Sequence, residues 1–201
     1  MRAHDAWLVD LDGTLYVQMP VRLAMAAELL AFGRGAVGTL RQFRKQHEVL
    51  RENPPVEAVL DPYRAQLERT AEALEHDVEA VAALVTEWMH VRPGRWIRLF
   101  RRRALLAEIE EHRNGGGKVA LVSDYPARKK LDALGLTSFF DVIVASGEPD
   151  GPRRLKPDPE GYLLAAKALS VEPSRCLVIG DREDADGAAA RAARMSFRRI
   201  G

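Results

Sequence analysis

The sequence predicts an α/β fold: a parallel sheet of about five strands carrying an inserted helical cap. Three observations predict it. Short apolar runs, mostly rich in β-branched residues, occur at Ala6–Val9, Val119–Val122, Val142–Ala145 and Leu177–Ile179, with a weaker fifth at Ser196–Ile200. None alternates strictly with polar residues, which is the pattern of strands buried on both faces. Helical segments lie between the runs, at Ala127–Leu134, Pro159–Leu169 and Ala185–Ala193. Strand–helix–strand alternation gives a Rossmann-like sheet with helices on both faces. Finally, more than a hundred residues separate the first two runs. A crossover needs only about a dozen, so most of that stretch is an insertion.

Taken in order, the first strand runs into Asp10-Leu11-Asp12-Gly13-Thr14-Leu15. The insertion follows, and its pattern is helical. Leu23–Phe32 is Ala-rich and apolar; Leu40, Phe43, His47 and Leu50 recur at helical spacing; Asn53-Pro54-Pro55 breaks the chain. Tyr63, Leu67, Thr70 and Leu74 form a second stripe, and Val78, Val81, Val85 and Trp88 a third. Pro93-Gly94 closes the insertion. We therefore expect about four cap helices in residues 17–92 and a core made of residues 1–16 and 93–201. One helix, about Trp96–His112, should lead back to the sheet and stop at Asn114-Gly115-Gly116-Gly117.

Composition bounds the function. The chain has 201 residues, 47% of them hydrophobic and 29% charged, which argues against disorder. A net charge of +1 gives no reason to expect nucleic acid as a partner. Cys176 is the only cysteine, so an intrachain disulfide and a cysteine-based zinc cluster are excluded. Arg22 and Glu28 interrupt the longest apolar stretch, Val21–Phe32, so no membrane span is expected. With no signal-like segment before Ala6, a cytoplasmic location is the expectation.

The residues that follow the strands carry the chemistry. Asp10 and Asp12 follow the first, Ser123 and Asp124 the second, Ser146 and Gly147 the third, Gly180 and Asp181 the fourth. In an open parallel sheet these ends lie along one edge, where ligands bind. Two carboxylates at i and i+2 suit a nucleophile and a general acid/base. Asp181 adds a third negative charge, and hard oxygen donors at a phosphate-handling site favour Mg²⁺. Lys156, one of six lysines, sits on the Pro-stiffened loop Leu155-Lys156-Pro157-Asp158-Pro159 and suits an anion anchor. Ser123 offers a hydroxyl and an amide to phosphate oxygens, and Asp124 beside it is a further candidate for the phosphate-binding site.

These motifs resemble, in order and across the whole chain, the haloacid dehalogenase (HAD) superfamily, with an insertion placed as in its C1-capped phosphatase-like members. Asp10-Leu11-Asp12-Gly13-Thr14-Leu15 looks like its first motif, Ser123 its second, Lys156 its third, and Gly180-Asp181-Arg182-Glu183-Asp184-Ala185-Asp186 its fourth. The resemblance implies a phosphohydrolase acting on a small phosphorylated metabolite. It makes Asp10 the nucleophile that becomes an aspartyl-phosphate, and Asp12 the acid that serves the leaving group and then activates water. Ser123 and Lys156 would hold phosphoryl oxygens. Asp10, the main-chain carbonyl of Asp12, and Asp181 would hold Mg²⁺, with Asp184 or Asp186 in support and Asp186 our choice. A phosphomutase on the same core, or a non-catalytic interaction protein, is the alternative; halide release would not need Asp12.

Other features read more plainly. Gly33-Arg34-Gly35-Ala36-Val37-Gly38 spells a dinucleotide fingerprint but follows a helix rather than a strand, so it reads as a helix–helix turn. Arginines 92, 95, 98, 101, 102 and 103 read as a solvated face. The histidines show no metal spacing, Trp88 and Trp96 read as cap packing, and Cys176 as a small core residue.

Overall fold

The computed structural model describes residues 4–53 and 61–201. Five parallel strands, β1 (Ala6–Asp10), β2 (Lys118–Ser123), β3 (Val142–Ala145), β4 (Cys176–Gly180) and β5 (Ser196–Arg199), form one sheet in the order β3-β2-β1-β4-β5. β1 is central and pairs in parallel with both β2 and β4. The order of strands reverses at β1, so the crevice between the ends of β1 and β4 is the natural ligand position.

The strand period of two divides the core into two layers. Val9, Val119 and Leu121 face one layer; their neighbours Leu8, Ala120 and Val122 face the other. The first layer is covered by α5 (Gly94–Leu99), α6 (Arg103–Asn114) and α7 (Arg128–Leu134), through Ile97, Leu105, Ile109, Leu131 and Leu134. The second is covered by α8 (Glu160–Ala168) and α9 (Ala188–Ala192), through Tyr162, Ala165, Ala166, Ala189 and Ala190. The small alanines let both helices lie close to the sheet.

Between β1 and α5 come α1 (Gln18–Phe32), α2 (Val37–Glu52), α3 (Pro62–Leu74) and α4 (Val78–Val85), the last continuing as a π-helical turn over Thr86–Val91. Asp61 and Asp77 cap α3 and α4 by accepting from the amides of Tyr63 and Ala80. These helices enclose a separate cluster of Ala36, Leu40, Phe43, Leu67, Ala71, Val81 and Val85. A short 3₁₀ turn over Arg34–Ala36 joins α1 to α2, so the glycine-rich stretch is a helix–helix turn. The break expected at Asn53-Pro54-Pro55 runs into residues 54–60, outside the described ones.

One expectation is corrected. The helix anticipated over Trp96–His112 is two helices, α5 and α6, broken at Phe100–Arg102. The cause is non-local. Tyr16 and Arg101 form an antiparallel bridge, the amide of Val17 donates to the carbonyl of Phe100 at 2.9 Å, and that of Arg102 to Leu15 at 2.8 Å. The chain's exit toward the helical insertion is thereby paired with its return, and residues pairing sideways cannot also continue a helix.

Candidate active site

Asp10 is the last residue of β1, and the turn after it is set by Gly13, whose φ is +95°. A Cβ on Gly13 would lie 2.1 Å from Asp181 Oδ2, so the glycine is also what lets the end of β1 approach the residue following β4. Thr14 Oγ1 donates to Asp10 Oδ2 at 3.0 Å. After β4 the chain makes a π-helical turn over Glu183–Gly187. That turn sends Asp186 inward, where its Oδ1 accepts from Lys156 Nζ and from Tyr162 Oη, each at 2.8 Å. Asp184 points outward to Arg182 and Arg51.

Two buried lysines divide the acids between them. Lys156 Nζ lies 2.5 Å from Asp10 Oδ1 as well as against Asp186. Lys130 Nζ lies 2.6 Å from each carboxylate oxygen of Asp12, and the Tyr16 hydroxyl donates to the same group. The two acids differ in consequence. Burial, with Asp186 adding repulsion, pushes the Asp10 carboxyl well above the usual carboxylate range although Lys156 opposes it. Burial acts on Asp12 too, but Lys130 and Tyr16 more than offset it and hold this carboxyl below its ordinary value. The Lys156 ammonium resists the discharge that burial favours because Asp10 and Asp186 hold its proton.

Carboxylate oxygens of Asp10, Asp181 and Asp186 lie within 4.8 Å of one another. Burial first, then Asp186, raises Asp181 as well. Asp10 and Asp186 pair with the ammonium of Lys156 and Asp181 adds a third carboxylate beside them, an arrangement of hard oxygen donors with excess negative charge that fits a small divalent cation. Asp12's side chain, turned to Lys130, lies outside this group.

A cavity of about 750 Å³ opens over these residues. Its core wall carries Asp10, Asp12, Lys130, Lys156, Asp181 and Asp186. Its other wall comes from the helical insertion and is largely apolar, with Val21, Leu29, Leu40, Trp88 and Met89, interrupted by Arg22, Arg44, His47 and Glu48.

The structure therefore brings together Asp10, Asp12, Lys156, Asp181 and Asp186. Asp124 also lines the cavity, but its Oδ1 accepts the amide of Lys156 at 3.1 Å, which fixes the lysine's loop. Ser123 is buried at the end of β2 rather than on the cavity lining, its Oγ accepting the Tyr125 amide at 3.2 Å. Sequence reasoning missed Tyr16, Tyr162 and, most importantly, Lys130. A signal for the lysine existed: Ala127, Lys130, Leu131 and Leu134 follow the i, i+3, i+4, i+7 pattern of a buried face, and all four are buried.

A parallel sheet with its acids and lysine at the strand ends, topped by an inserted helical layer, defines a HAD-like hydrolase. The sequence pattern of the haloacid dehalogenase-like hydrolases matches residues 4–194, and the chain belongs to that family. It is similar to the validoxylamine A 7'-phosphate phosphatase of Streptomyces hygroscopicus subsp. limoneus, 38% identical over 77 residues, or 38% of this chain and 35% of that protein. It is 28% identical to the N-acetylmuramic acid 6-phosphate phosphatase of Pseudomonas putida over 184 residues, 88% of this chain and 74% of that one. The chain spans only about a third of the length of several curated relatives that it matches. Its fold is that of the HAD phosphatase from Thermococcus onnurineus, with a TM-score of 0.63, 20% identity, and coverage of 98% of this chain and 86% of the other.

Proposed function

We propose that this chain is a Mg²⁺-dependent phosphohydrolase that cleaves a small phosphate monoester through an aspartyl-phosphate on Asp10. The observation that carries the reading is the division of charge: Asp10 shares Lys156 with Asp186 in a cluster to which Asp181 adds a third carboxylate, while Asp12, two residues away from Asp10, has a lysine of its own. An Asp10 oxygen attacks phosphorus, the ester P–O bond breaks, and Asp12, ionised beside Lys130 in the free protein and protonated once the negative charge of the bound phosphate ester lies next to it, gives that proton to the leaving oxygen. Asp12 then removes a proton from water, which attacks the same phosphorus; the P–O bond to Asp10 breaks and inorganic phosphate leaves. Lys156 neutralises charge that builds on the phosphoryl oxygens. Asp10, Asp181, Asp186 and the Asp12 carbonyl would hold Mg²⁺, which supplies Lewis-acid stabilisation of phosphoryl charge.

The reading assigns residues 17–92 to a cap and residues 1–16 and 93–201 to the catalytic core, with the cap wall selecting the organic part of the ester. Relatives named as sugar-phosphate-type phosphatases support a small phosphorylated substrate. The test is hydrolysis of p-nitrophenyl phosphate and acetyl phosphate. We expect turnover with Mg²⁺ and loss on EDTA treatment, restored by added Mg²⁺. Metal-independent turnover, phosphoryl return to a sugar phosphate instead of water, or halide release from a 2-haloacid without phosphatase activity would overturn the reading.

A further inference from the structure

We propose that Lys130 is a positioning residue for the reaction: with the Tyr16 hydroxyl, it fixes the Asp12 carboxylate in the orientation that serves the leaving group and the attacking water. The inference rests on the phosphohydrolase reading above and adds to it a residue outside the four motifs.

The geometry is specific. Lys130 Nζ contacts both Asp12 oxygens at 2.6 Å, which sets the direction in which the carboxylate points. The Tyr16 hydroxyl donates to Oδ1 alone, which adds the unequal contact that sets the carboxylate's rotation, and it comes from the segment whose main chain bridges to Arg101. Among the described residues Asp12 is Lys130's ion-pair partner, whereas Lys156 serves Asp10 and Asp186. The lysine's placement is not a surface accident. Its neighbours on α7, Arg128 and Lys129, are exposed, while Lys130 is turned inward with 5% exposure. Burying an ammonium is costly unless it is paired and hydrogen-bonded, so this site is maintained against a desolvation cost. Asp12 follows β1 on a turn rather than within a strand, so its side chain lacks the rigid frame that β1 gives Asp10. Lys130 supplies that frame from a helix packed on the sheet.

Positioning makes a prediction that bulk stabilisation does not. Lys130→Met keeps the length of the stem and removes the charge and both contacts. Acetyl phosphate carries a leaving group that needs little help, so Asp10 phosphorylation from it should persist in the variant. Breakdown of the phospho-enzyme, which needs Asp12 aligned on water, should slow by about 10- to 100-fold, and the covalent species should accumulate. Lys130→Arg, whose planar fork matches two carboxylate oxygens, should recover part of the breakdown rate. In an Asp12→Asn background Lys130→Met should add little further loss. Thermal melting of each variant, followed by circular dichroism, reports folding separately. Formation and breakdown falling by the same factor, or losses that add in the double variant, would overturn the inference. A wild-type protein that forms no phospho-enzyme would sink the underlying reading instead, and that outcome is visible before any Lys130 variant is made.

Discussion

The two walls of the cavity are built on different principles. On the core wall most charged groups are tied to a partner: Lys156 to Asp10 and Asp186, Lys130 and Tyr16 to Asp12, Asp124 to the Lys156 amide, with Asp181 beside Asp10 and Asp186. These residues follow strands of one sheet or project from helices packed on it, so their spacing is set by the β ladder and by buried contacts. The cap wall is mostly aliphatic and aromatic, and Arg22 and Arg44 reach the cavity from exposed positions without an ion pair among the described residues. The difference teaches where each task resides. On the function proposed above, preorganised charge sits where it costs no rearrangement during reaction, and the apolar wall with its few open charges is where one ester would be told from another.

The sharpest way to break this division is at Lys156. Lys156→Met should lower kcat by about 10²–10³-fold, as expected for removing preorganised charge, and should do so for every phosphate ester in a panel. A loss confined to a few esters would move Lys156 from chemistry to recognition. Gly13→Ala comes next. Its new Cβ would meet Asp181 Oδ2 at 2.1 Å from a backbone at φ +95°. Displacing Asp181 should weaken Mg²⁺ activation by about 10- to 100-fold, read as a shift in the Mg²⁺ concentration giving half-maximal rate, with unchanged activation contradicting the proposed cation position. The smallest effect belongs to the cap. Met89→Ala should change kcat/KM by about tenfold for some esters and little for others, while phospho-enzyme breakdown stays as in the parent. A uniform slowing of breakdown would put Met89 in the chemistry and blur the distinction between the walls.

The core was more legible than the cap, for a physical reason. Strand-end residues converge by topology alone, so Asp10, Asp12 and Asp181 could be placed together from four apolar runs without knowing a single contact. Lys156 was legible because a proline-flanked loop after β3 opens on that same edge. Lys130 was hidden in the run Arg128-Lys129-Lys130, where only helical register separates an inward lysine from two exposed ones. The choice of Asp186 over Asp184 has no local warrant in the sequence, because the turn holding them is π-helical and a regular helical register does not say which one faces in. The break at Phe100–Arg102 depends on pairing with Leu15–Val17, more than eighty residues earlier, which local periodicity does not encode. The cap offered stripes of apolar residues, and such stripes report which face is buried without saying which residues look into the cavity.

The central claim is covalent phosphoryl transfer to Asp10, and trapping the intermediate tests it most directly. Parent protein and Asp10→Asn are mixed with labelled acetyl phosphate and Mg²⁺, quenched in acid within the first turnover, digested and mapped. The account predicts label on the peptide carrying Asp10 in the parent, released by hydroxylamine as an acyl phosphate is, and no label in Asp10→Asn together with turnover lower by about 10⁴-fold or more. Label on another residue, or full turnover in Asp10→Asn, would contradict it.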